Sequence, residues 1–146
     1  MPMDNSNNLY RFVRAQEGVY ATALAELRGG QKRSHWMWFI FPQLAGLGHS
    51  STSHFFAITN LEEARAYLAH PVLGPRLVEC AEAVLAHDGR TATDIFGHTD
   101  AMKLRSCMTL FAQVNGVPPV FTRVLEKYFN SEYDGKTLQL LERQPS

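Results

Sequence analysis

The sequence has no excess of either charge. Lys plus Arg number 14 and Asp plus Glu number 14, giving a formal net charge of zero. A basic excess is the usual footprint of a nucleic-acid binder, so no nucleic acid is favoured as a partner. Cysteine is scarce: Cys80 and Cys107 form no CxxC pair and no disulfide framework. Long apolar runs are missing as well. The longest, Trp36 to Phe41, is far too short to cross a bilayer, so no membrane is expected. The opening MPMDNSNNLY has neither a basic n-region nor an apolar h-region, and no signal peptide is expected. These absences together point to a reducing cytoplasm. The six histidines show no H-x-x-x-H, HExxH or Cys/His spacing; no metal and no cofactor is expected. Strand-like alternation is nearly absent, with HFFAIT at 54–59 the sole candidate.

What is present is helical periodicity in a globular composition. Apolar residues make up 45% and aromatics 11% of 146 residues, enough for one domain with a real core. Asn7 or Asn8 can cap a helix over 9–28, which Gly29-Gly30 stops; Gly18 lies inside it as a weak point. Asn60 with Glu63 suggests a capping box for a helix over 61–69 that Pro71 ends. Gly74-Pro75 opens a helix over 75–87, and TATDIFG reads as a short turn closed by Gly97. Further helices are expected over 100–114, with Leu104, Cys107, Met108 and Phe111 on one stripe, and over 119–129. Asp134 can cap a last one over 135–142. The expected fold is all-α or α-rich, a compact single helical domain over 9–142 with short tails at 1–8 and 143–146 and at most a minor strand pair.

The chemistry concentrates in KRSHWMWFIFPQ, residues 32–43. Lys32 and Arg33 are cations, Ser34 and His35 are donors, and Trp36 and Trp38 offer planar rings. If the stretch is helical the two indoles point about 200° apart, one inward and one toward the loop behind. That loop, FPQLAGLGHSSTS, carries hydroxyl donors including Ser53. Lys103 lies near the start of the helix that follows Asp100. Cation, stacking surface and hydroxyl donors together suit a small phosphorylated or nucleoside-like metabolite. In this reading Lys32, Arg33 and Lys103 hold the anion, Trp36 or Trp38 stacks the ring, and Ser34, His35 and Ser53 donate hydrogen bonds. The alternative is a non-enzymatic interaction or structural domain in which the aromatic run is core.

RFVRAQEGVYATALAELRGGQKRSHWMWFIFPQLAGLG, AYLAHPVLGPRLVEC and IFGHTDAMKLRSCMTLF resemble the bacterial domain of unknown function 1810 family over nearly the whole chain, about Leu9 to Leu141. Members are sometimes labelled calpastatin; calpastatin inhibitory segments are disordered, whereas this chain is patterned to fold. The resemblance implies a coherent fold and no particular reaction. DAMKLRSCMTLFAQV with FTRVLEKYF and KTLQLLE is similar in layout to the closing half of the NADAR superfamily. That superfamily is α-rich, is associated with NAD and ADP-ribose derivatives, and includes N-glycosidases. The resemblance implies an ADP-ribose-like ligand and hydrolysis at an N-glycosidic bond. Such a reaction needs a carboxylate near the anomeric carbon; Asp100 is the first candidate and Glu17 the second.

Overall fold

The computed structural model describes residues 5–144, and among these it contains ten helices and no strand. They are α1 (Asn5–Gln16), α2 (Tyr20–Arg28), α3 (Met37–Ile40), α4 (Ser51–Phe55), α5 (Leu61–Ala69), α6 (Leu73–Leu85), α7 (Ala92–Phe96), α8 (His98–Ala112), α9 (Val120–Phe129) and α10 (Gly135–Arg143). The expected all-α single domain is the architecture found. Of the expected tails, 1–8 and 143–146, residues 1–4 and 145–146 lie outside the described residues, whereas 5–8 belong to α1 and Arg143 ends α10.

α8 is the central helix. Ala101, Leu104, Ser106, Cys107, Met108, Thr109, Leu110 and Phe111 are all buried; the unbroken run 106–111 puts the second half of the helix inside the core, while Thr99 and Met102 leave its first half open on one face. α5, α7, α9 and α10 pack against it. α9 is amphipathic, with Val120, Phe121, Val124 and Leu125 inward. A chain of rings crosses the interior: Phe12, Tyr67, Phe111 and Phe121, with successive centroids 5.2, 5.5 and 5.9 Å apart. α2 and α5 cover α6, which itself packs on α9.

Helix ends follow local chemistry. The Asn60 side chain accepts from the Glu63 N–H at 2.9 Å, while Glu63 reaches back to the Thr59 N–H at 2.8 Å, one residue beyond the expected capping-box partner. Asp134 accepts from the Thr137 N–H at 3.1 Å and caps α10. Thr91 and Asp94 form a full capping box on α7.

Three expectations are corrected. The helix foreseen over 9–28 is two helices, because Gly18 takes φ +73° and breaks the ladder between α1 and α2. HFFAIT is not a strand: His54 and Phe55 close α4, and the minor strand pair shrinks to one parallel bridge between Leu44 and Ile58. The loop foreseen through Ser53 is partly helical, since the Ser50 hydroxyl accepts from the Ser53 N–H and starts α4.

Candidate functional site

Glu26, near the end of α2, fixes the segment that precedes the aromatic run. It accepts from the backbone N–H groups of Arg33 at 2.8 Å and Ser34 at 3.1 Å, from the Ser34 hydroxyl, and from the Trp36 indole N–H at 2.9 Å. Desolvation would raise its pKa; these hydrogen bonds outweigh it and hold the carboxyl down at about 2. Trp36 is 0% exposed, packed against Phe41 with centroids 6.3 Å apart. Two residues on, in the single turn of α3, Trp38 points the other way and is half-buried at the lip of a cleft.

Asp100 lies in the first turn of α8, and Lys103 follows one turn later on the same face. Asp100 is bound on both oxygens: Oδ2 is 2.9 Å from Lys32 Nζ and Oδ1 is 3.2 Å from Lys103 Nζ. The Lys32 side chain is 8% exposed, those of Asp100 and Lys103 20% and 23%. Each lysine also stands over an indole. Lys32 Nζ is 5.0 Å from the Trp36 ring centroid and Lys103 Nζ is 4.4 Å from that of Trp38, both within cation–π range. Burial would raise the Asp100 pKa, but the two ammonium groups hold it below the ordinary carboxylate range.

The cleft has a volume of about 450 Å³ and opens between Trp38, the 47–53 segment, α8 and the start of α10. Gly48, His49 and Ser53 line one side, Thr99, Met102, Lys103 and Ser106 the α8 side, and Asp134 and Lys136 the far wall. The far wall is held to α8 at several points. Arg105 donates to the carbonyls of Glu132 and Tyr133, both at 2.8 Å. The Ser106 hydroxyl donates to Asp134 Oδ2 at 3.2 Å, and the Asp134 N–H donates to the buried Thr109 hydroxyl at 2.9 Å.

The structure therefore brings Trp38, Ser53 and Lys103 to the cleft, from three separate stretches of chain, while Asp100 and Lys32 join Lys103 through their ion pairs and do not line the cleft. It does not bring the other candidates to the cleft. Trp36 lies in the core and Ser34 is taken up by Glu26. His35 is exposed away from the lining, and Arg33 lines a separate hollow of about 350 Å³ with Thr22, Glu26 and Gln31. Glu17 is exposed in the turn after α1 and does not line the cleft. Sequence reasoning missed His49, Met102, Ser106 and Lys136 as lining residues, and saw Asp134 only as a cap. The available signal was Asp134-Gly135-Lys136, a capping carboxylate followed by a cation at a helix start. Among the described residues no group of three or more His, Cys, Asp or Glu side chains could hold a metal ion, and no helix is long and apolar enough to cross a membrane.

Fold and site together define a small all-α protein with an indole-and-cation cleft on its central helix. The chain belongs to the family DUF1810, described as protein of unknown function, whose profile matches residues 6–141. It is similar in structure to the conserved hypothetical protein Rv1873 from Mycobacterium tuberculosis, with a TM-score of 0.92 and 48% sequence identity over 94% of this chain and 98% of that one. No curated protein matches. Neither similarity supports the likeness to the NADAR superfamily.

Proposed function

We propose that the cleft binds a small phosphorylated ribosyl metabolite of the nucleotide or ADP-ribose kind. The observation that carries this is the meeting of Trp38 and Lys103, 4.4 Å apart, in a cleft of about 450 Å³. An indole face, two lysines (Lys103 and Lys136) and the hydroxyls of Ser53 and Thr99 suit a ring, an anion and a sugar in turn. The volume is in the range of small-ligand sites. Binding is better supported than cleavage of an N-glycosidic bond. Both oxygens of Asp100 are engaged by lysines and its proton affinity is depressed, which suits an anchor and not a general base. The complete burial of Trp36 favours the second reading, an interaction or structural domain, for that half of the aromatic run only. Two buried free thiols suit a reducing cytoplasm.

Titration with ADP-ribose tests the reading through tryptophan fluorescence. The expected result is quenching that Trp38→Phe abolishes, while the emission of the buried Trp36 persists. Added salt should weaken binding, because the anion contact is partly screened. An unchanged spectrum at millimolar ADP-ribose rejects the proposal.

A further inference from the structure

Lys103 occupies the space that a ligand ring would need. Its ammonium stands over the Trp38 ring, 4.4 Å from the centroid, and both residues line the cleft. Trp38 also borders a second void beside Gly46, Phe56 and Ala57. That void holds about 20 Å³, room for a water and not for a planar base. The side with room is the cleft side, and there a cation covers the indole. The cation is held in place: Asp100 Oδ1 lies 3.2 Å away, and Asp100 is anchored on its other oxygen by the nearly buried Lys32 at 2.9 Å.

A neutral ring entering this cleft must move the ammonium off the indole, which forfeits a cation–π contact and offers the charge nothing in exchange. An anion offers it a new partner. We infer that Lys103 is a latch on Trp38 that an anion releases, so that phosphate and ring bind with positive coupling and the cleft selects phosphorylated ring compounds over the same rings without phosphate. This rests on the reading of the cleft given above. Asp100 acts as a positioning residue: it sets where the ammonium rests before the anion arrives. Coupling of this kind is reciprocal, so anything that draws Lys103 away should raise the affinity for a bare ring.

The test uses the full chain with adenosine and AMP as ligands, inorganic phosphate as a separate probe at constant ionic strength, and tryptophan fluorescence as the readout. In the unmodified protein AMP should bind more tightly than adenosine, and millimolar phosphate should tighten adenosine binding several-fold. Lys103→Met should move the two ligands in opposite directions. Adenosine binding should improve by about two- to fivefold as the cation leaves the ring, and AMP binding should weaken by about tenfold or more as the charge-assisted contact is lost. The phosphate effect on adenosine should vanish in that variant. The measurement with phosphate needs no mutation, so a poorly folded variant leaves the inference open to refutation. If phosphate fails to tighten adenosine in the unmodified protein, or if Lys103→Met weakens both ligands alike, the latch is overturned while AMP binding upholds the cleft. If AMP binds neither protein, cleft and latch fall together.

Discussion

Glu26 and Asp100 are both carboxylates held in the charged form, by different means. Glu26 is surrounded by N–H and O–H donors from one short segment, whereas Asp100 is clamped between two ammonium groups. A folded-state pKa of about 2 for Glu26, against an ordinary value of 4.5, gives the linkage its sign. The stabilisation is present above about pH 4.5 and is lost as pH falls toward 2. Urea unfolding across that window should show a steep acid limb, and Glu26→Gln should be less stable at neutral pH with a shallower limb. A parallel limb in the variant would mean that another carboxylate dominates. Phe111 gives a prediction of packing alone. It is wholly buried and touches the rings of Tyr67 and Phe121, so Phe111→Ala should cost about 3–5 kcal/mol in equilibrium unfolding. Histidine shows the limit of reading single residues from sequence. His70 reads as a partner for a helix C-terminus; its Nδ1 instead accepts from the N–H groups of Val72 and Leu73, at the start of α6.

At the scale of elements, two glycines separate conformation from space. Gly18 takes φ +73° at the α1–α2 junction, and a side chain there would meet nothing within 4 Å. Gly18→Ala should therefore cost about 1–2 kcal/mol, from the left-handed backbone alone. Gly74 lies inside α6 with an ordinary φ, but a Cβ would overlap the carbonyl oxygen of Leu68 in α5. Gly74→Ala should cost about 1–3 kcal/mol or more, despite the better helix propensity of alanine, because backbone must move. Thermal melts of the two variants decide the comparison; the reverse order would place the strain at the wrong junction. The same contrast explains what was legible in the sequence. α5, α6, α8, α9 and α10 were readable because each carries its own apolar stripe, to which α5 and α10 add a side-chain cap, Asn60 and Asp134. The split at Gly18 was not, since the apolar spacing runs on past it and only the backbone angle breaks. α4 was hidden because none of its residues is buried and its start rests on one serine hydroxyl.

The whole molecule assembles the cleft from segments that local patterns do not connect. Trp38, Lys103 and Ser53 could be nominated singly, because an indole, a cation and a loop hydroxyl stand out by type. That Lys32 and Lys103 share Asp100 depends on the contact between the 30–36 segment and α8, which no periodicity encodes. Lys136 was invisible for the same reason: it reads as an ordinary residue of its own helix until α10 is laid against α8.

α10 is held lightly for its length, with Leu140 and Leu141 only partly buried against the core. Thr137 is its one fully buried residue, and its fastening runs through the Asp134 cap, Arg105 and a bond from Gln144 to the Thr59 carbonyl at 2.9 Å. A helix with so little buried surface opens at a lower free energy than the core it leans on. Its amide protons should exchange with deuterated solvent well ahead of those of α8, although the two helices pack against each other and both line the cleft. A compound that engages Lys136 and Lys103 together would bridge the slow wall to the fast one. Amide exchange in α10 should then slow on addition of AMP while α8 stays as it was. Equal protection of both helices without ligand would mean that the wall is as firmly built as the core.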